Sequence, residues 1–358
     1  MADWRSRCEI NGDVCFFSYT SSDVEKKLDE VYIWDLDKTY LDTKIDSIAA
    51  LFRTLWERAF HKKNIPGTNT LLQSLSDFRK KKFMQKNFPI YFITASPPQM
   101  EERISEKFSL DSIRPFGSFY KDNFANLSPK RLRRMVHQVG FKIQALMQLR
   151  ARLPDNIQQI CWGDDSESDA VIYNLYSDIC ARRIGTKELR LILEKLNVTS
   201  EQTDVILHLQ AQVPDSDPVQ KIYINLATDT DPDYYLKFGR RTRPTYNTFQ
   251  VALDLLQDQR LDLSAIESII QDMVYNYSFT NEELIKSFDE LIRRGVVGES
   301  FFEKMCDFLI SQGFMPQDYV FSAKALKEKT VVNGVVFEME GSHEPWVPEH
   351  IDYLHDYR

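Results

Sequence analysis

The sequence predicts an α/β protein with a doubly wound, mostly parallel sheet, followed by a helical stretch. Three observations predict it. Apolar runs of strand type lie in VYIW (31–34), PIYFITASP (89–97) and IQQICWGDDSESD (157–169). Segments with apolar residues at helical spacing separate them. Each run ends abruptly in small or acidic residues, and the C-terminal ends of strands are where open α/β sheets place their sites.

Taken in order, residues 1–29 hold one β-like run, Val14–Tyr19, and a charged linker, and read as an N-terminal extension packed as a hairpin on the domain edge. After the first strand, Ile45–Phe60 has helical spacing at Ile48, Leu51 and Leu55. Leu71–Phe83 is a second helix and Met100–Phe108 a third. Ile113–Phe119 reads as a strand, Pro115 favouring an edge or a strand start. Arg131–Leu153 reads as helix broken near Gly140, and Ala170–Cys180 as helix. Two more helices occupy an insertion at 184–219, which ends in the Pro214–Pro218 breaker. KIYINLA (221–227) is the last strand of an α/β domain spanning 30–245. Residues 246–320 form a helical subdomain; two of its helices end in Gly295 and Gly313, apt C-cap residues. The tail, 321–358, contains a hairpin around Asn333-Gly334.

The bulk numbers exclude some classes. A net charge of −8 over 358 residues argues against a nucleic-acid partner, since phosphate backbones reward excess Lys and Arg. No stretch reaches the length of a membrane span, and the N-terminus has no apolar signal core. The five cysteines are scattered with no C-x-x-C, which suits reduced thiols and a cytoplasmic location.

The chemistry-bearing residues stand at the strand ends. Asp35 and Asp37, one residue apart, are costly there unless a cation shares the site. Carboxylate oxygens of this kind suit Mg²⁺. Thr94-Ala95-Ser96 can meet a phosphate through Oγ and the following N–H. Lys142 starts a helical pattern, and Gly163, Asp164, Asp165 and Asp169 follow the third run. Each has a plainer reading: Asp35 and Asp37 as turn residues, Lys142 as a solvated helix lysine, Asp165 or Asp169 as an acid favoured by a helix N-terminus.

The order D-x-D-x-T, strand-end hydroxyl, lysine, G-D-x-x-x-x-D resembles the four motifs of the haloacid dehalogenase (HAD) phosphotransferase superfamily. F-x-x-A-S-P, Pro66-Gly67 and W-G-D-D-S-E-S-D-A-V-I-Y narrow the likeness. They resemble the catalytic domain of the actin-patch-protein phosphatidate phosphatase family over about residues 28–255.

The resemblance implies a HAD-like Rossmann-type sheet and a Mg²⁺-dependent phosphomonoesterase working through an aspartyl-phosphate. By resemblance, Asp35 is the nucleophile and Asp37 the general acid and then base. Thr94 and the Ala95 N–H hold phosphoryl oxygens, with Ser96 the rival hydroxyl, and Lys142 neutralises charge. Asp35, the Asp37 carbonyl and Asp164 bind the metal, while Asp165 and Asp169 compete for one outer role. Lys38 departs from the family, which often carries Gly or Asp there. The gaps from Thr39 to Thr94 and from Thr94 to Lys142 leave no room for a large cap, so an open site for phosphatidate or another bulky phosphate is expected. The basic run Arg79–Lys82 suits peripheral contact with an anionic membrane, or a solvated helix end. The alternatives are a non-catalytic HAD-like binding module and a phosphotransferase component of a larger assembly.

Overall fold

The computed structural model describes residues 4–42, 64–83, 88–122, 138–166, 168–227, 229–321, 330–332, 335–337 and 346–355. The helix expected at Ile45–Phe60 and residues 131–137 lie outside them. In chain order the elements are β1 (Glu9–Asn11), β2 (Val14–Ser18), α1 (Ser22–Glu25), β3 (Glu30–Asp35), α2 (Thr68–Phe83), β4 (Ile90–Thr94), α3 (Glu101–Leu110), β5 (Gly117–Lys121), α4 (Val139–Arg152), β6 (Gln158–Asp164) and α5 (Asp169–Cys180). There follow α6 (Thr186–Lys195), α7 (Ser200–Gln210), β7 (Val219–Asn225), β8 (Thr242–Thr245), α8 (Thr248–Gln257), α9 (Leu263–Tyr277), α10 (Asn281–Arg293), α11 (Glu299–Ser311), β9 (Thr330–Val332) and β10 (Val335–Phe337).

Two compact units divide the chain. The first takes residues 1–63, 88–224 and 348–358; the second takes 64–87 and 225–347. The first unit is α/β, with strands in the order β1-β2-β5-β4-β3-β6-β7. β3 pairs in parallel with both β4 and β6, and β4 in parallel with β5. β2 joins β5 antiparallel and carries β1 as a hairpin, so the N-terminal extension is part of the sheet. This mostly parallel sheet is of the Rossmann-like kind. β3 and β4 are buried at every residue, which is why they read as continuous apolar runs and not alternating ones. Aromatic rings run across the strands: Trp34 stacks on Trp162 at 4.8 Å between centroids, and Trp162 meets Tyr223 at 5.0 Å.

Several boundaries differ from expectation. β5 begins at Gly117, two residues past Pro115; Phe116 N–H still bonds Ile90 O at 2.8 Å, so the chain enters the sheet without a proline inside a strand. α4 begins at Val139, one residue before Gly140, and the stretch on the other side of the expected break, 131–137, lies outside the described residues. A Cβ on Gly140 would stand 2.4 Å from Gln202 Oε1 and 2.9 Å from Val198 Cγ1, so the glycine lets α7 approach closely. The final segment returns to the first unit, where Tyr353 OH donates to Asp178 Oδ2 at 2.6 Å.

In the second unit, α2 packs on α8 and α9, so the helical body is built from two stretches of chain and not from 246–320 alone. Leu71, Leu72 and Leu75 are buried on α2. Thr70 Oγ1 donates to Asp272 Oδ2 at 2.6 Å, and Thr248 Oγ1 to Pro66 O at 2.6 Å. Gly67, at φ +80°, passes so close that a Cβ would sit 3.1 Å from Thr248 Cβ. β9 and β10 pair antiparallel, Val332 opposite Val335, while the turn expected at Asn333-Gly334 lies outside the described residues.

Candidate active site

The parallel register brings three chain reversals to one sheet edge. Asp35 lies beside Ile93, and Trp34 beside Trp162, so Asp35, Thr94 and Asp164 end neighbouring strands. After Asp35 the chain turns tightly: Tyr40 and Leu41 N–H both reach Leu36 O, at 3.2 and 2.9 Å. Lys38 N–H donates to Leu41 O at 2.9 Å with Lys38 at φ +58°, a left-handed conformation that Gly would adopt without strain. Lys38 Nζ crosses to Ser166 Oγ at 3.2 Å, tying the first reversal to the third.

Asp35 is 1% exposed. Lys142 Nζ, also 1% exposed, stands 2.8 Å from Asp35 Oδ1 and 2.5 Å from Asp169 Oδ1. Thr39 Oγ1 donates to Asp35 Oδ2 at 3.4 Å, which gives the threonine of D-x-D-x-T a holding role that sequence reasoning left unassigned. Asp169 Oδ2 accepts from Asp164 N–H at 3.2 Å, and Asp164 Oδ1 from Ser166 N–H at 2.5 Å. Ser168 at φ +64° turns the chain into α5, with Asp169 its first residue. Gly163 makes room: a Cβ there would meet both Asp169 Cβ and Oδ2 at 2.4 Å.

Carboxylate oxygens of Asp35, Asp164 and Asp169 lie within 4.8 Å of one another, all buried. Three carboxylates against the one Lys142 ammonium leave two formal negative charges. Buried charge of that size is costly unless matched. A divalent cation would balance it, and an all-oxygen donor set fits a hard ion. Asp165 is half-buried and not in this group; Asp169 is. Asp37 is half-buried, and its Oδ2 accepts from Thr94 Oγ1 at 2.9 Å, so the Thr94 hydroxyl expected on phosphate faces an acid. Tyr173 OH donates to Trp162 O at 2.9 Å beneath the group. Burial first, then the Asp169 charge, pushes that phenol well above its ordinary pKa, so it stays neutral.

The fold and this cluster define an α/β domain with a buried acidic centre suited to a metal ion. Residues 31–192 match the family model of phosphatidate phosphatase APP1, catalytic domain. The stretch opens on β3 and closes in α6, enclosing every residue of the cluster, and is similar to that phosphatidate phosphatase domain. Comparison with curated proteins and with solved structures yields no match. Among the described residues, no helix is long and apolar enough to cross a membrane.

Proposed function

We propose that the chain is a Mg²⁺-dependent HAD-type phosphomonoester hydrolase acting through an aspartyl-phosphate, with phosphatidate the leading substrate. The observation that carries this reading is the buried Asp35–Lys142–Asp169–Asp164 cluster at parallel strand ends, inside the stretch that matches a phosphatase domain.

Asp35 Oδ attacks phosphorus and the bond to the leaving oxygen breaks. Asp37 gives its proton to that alkoxide. Asp37, now ionised, takes a proton from a water that attacks the phosphoryl group, and Asp35 is released. Lys142 balances Asp35 and the charge of the transferring group, with Asp169 fixing the ammonium. The Ala95 N–H is the proposed backbone donor to the phosphoryl oxygens. Asp35, the Asp37 carbonyl and Asp164 would hold Mg²⁺, with Asp169 beside them, and the ion would polarise the phosphoryl oxygens. Contact with an anionic membrane through Lys80–Lys82 belongs to the same proposal; Asp77 and Asp262, at 3.1 and 3.8 Å from Lys80 and Lys81, temper that charge.

The test is phosphate release by the purified chain from phosphatidate, a sugar phosphate, a nucleotide and a phosphopeptide. Release from phosphatidate that stops with chelator and returns with Mg²⁺ is expected. No release from any substrate overturns the phosphatase reading, and release that survives chelation overturns the metal's part in it.

A further inference from the structure

Lys38 is an unexpected residue for its place. It stands between Asp37 and Thr39 at φ +58°, in the left-handed region that costs a residue with a side chain and suits Gly. A residue kept there against its preference points to a use for its side chain.

That use lies across the site. Lys38 Nζ donates to Ser166 Oγ at 3.2 Å, 128 residues later in the chain. Ser166 N–H donates in turn to Asp164 Oδ1 at 2.5 Å. At the other end, Lys38 N–H is fixed on Leu41 O at 2.9 Å, and the next residue, Thr39, reaches Asp35 Oδ2 at 3.4 Å. One side chain therefore connects two reversals: the first carries Asp37 and the third follows Asp164.

A second lysine joins the same two regions. Lys142 does so inside the buried cluster, between Asp35 and Asp169. Lys38 does so at the rim, where it is half-buried and Ser166 is exposed. Lys142 meets carboxylates, whereas Lys38 meets a neutral hydroxyl. A carboxylate at 166 would add to the negative charge of the centre; a hydroxyl accepts the bond without doing so.

We propose that the Lys38–Ser166 hydrogen bond is a latch setting the first and third reversals against each other, and that Lys38 is a positioning residue for Asp37 and Asp164. The latch concerns the two reversals themselves; its catalytic consequence rests on the phosphatase reading above.

Hydrogen exchange of the full chain reads the latch without turnover. Lys38→Met keeps the left-handed residue and removes the donor, and is expected to speed exchange at the Ser166 N–H severalfold. Ser166→Ala removes the acceptor, and is expected to speed exchange at the Lys38 N–H by a like factor. Ser166→Thr keeps the hydroxyl and the wild-type rates. Exchange that rises only in the reversal carrying the substitution overturns the latch.

Release of phosphate from phosphatidate with Mg²⁺ reads the consequence. Each single substitution is expected to lower kcat about fivefold, as for one lost hydrogen bond, with KM within about twofold. The double variant should be no slower than either single one, because both remove the same bond. Ser166→Thr restores kcat. Lys38→Gly is expected to lose kcat as Lys38→Met does while its Tm stays equal or rises, because the backbone strain is relieved; a merely structural contact would lower Tm and spare kcat. Additive losses in the double variant overturn the inference. So does a raised KM in Lys38→Met with Ser166→Ala unaffected, which would mean that the ammonium meets the substrate. A wild-type chain that releases no phosphate sinks the phosphatase reading and the catalytic consequence with it, and hydrogen exchange then decides the latch by itself.

Discussion

Asp35 sits where a carboxylate has least freedom, at the end of a fully buried strand with an ammonium at 2.8 Å and a hydroxyl at 3.4 Å. Asp35→Asn keeps the shape and removes the proposed nucleophile, so turnover is expected to fall to background with Tm little changed. Measurable turnover would mean another group attacks phosphorus. Asp37→Asn should cost about 10²–10⁴-fold in kcat while leaving Asp35 able to react. Gly163 yields a test of the space around Asp169. Gly163→Ala puts a methyl 2.4 Å from Asp169, and overpacking of that kind costs roughly 1–3 kcal/mol. A drop in Tm together with a loss of kcat is expected, since Asp169 also holds Lys142; a variant as stable and active as wild type would show that the cluster can shift at no cost. The acids at the strand ends are legible in the sequence because polar residues interrupt apolar runs. The choice between Asp165 and Asp169 is not, because it turns on the left-handed Ser168 that aims the first residue of α5.

Helix ends carry their own signals, and several are met in full. Thr199 with Gln202 and Thr280 with Glu283 form capping boxes at the starts of α7 and α10. Asp262 caps α9 through Ala265 N–H at 3.1 Å. The Ser264 hydroxyl, then the Ala265 N–H and Lys81, hold its carboxyl below the ordinary value of 3.8 against the opposing effect of burial. Because the folded-state pKa is the lower one, this stabilisation is present above 3.8 and is lost as pH falls through the folded value. Asp262→Ala is therefore expected to lower stability by about 1 kcal/mol at neutral pH, with the deficit shrinking in acid; denaturant titrations across pH would show it, and a deficit independent of pH would place the effect elsewhere. Helical periodicity locates α8 to α11 because each has one apolar face to bury. It cannot say that the partner of α9 is α2, about two hundred residues earlier, because spacing reports a face and not what covers it.

At the scale of the molecule, the proposed ion would be linked to the fold. A cation that binds only the folded acidic centre stabilises it by about 2.7 kcal/mol at a hundredfold excess over Kd. Mg²⁺ should raise Tm in the wild type and not in Asp164→Asn; equal Tm with and without the ion would remove the centre from consideration as a metal site. The discontinuous second unit predicts the outcome of truncation. Deleting 260–358 strips α9 from α2, a helix that buries Leu71, Leu72 and Leu75, and leaves only α8 packed on it, so an insoluble or strongly destabilised product is expected. A soluble fragment of unchanged Tm and full activity would show that these helices contribute nothing to the rest. The same discontinuity sets a clock on biosynthesis. α2 leaves the ribosome 165 residues before α8 begins (248 minus 83). At about 5–20 residues per second that is a wait of roughly ten to thirty seconds. During it an amphipathic helix with no partner must remain unaggregated while the sheet on either side of it in the chain is completed. Dependence on chaperones at this one nascent segment, and protection of it only after the last third of the chain is made, follow from where a single helix lies.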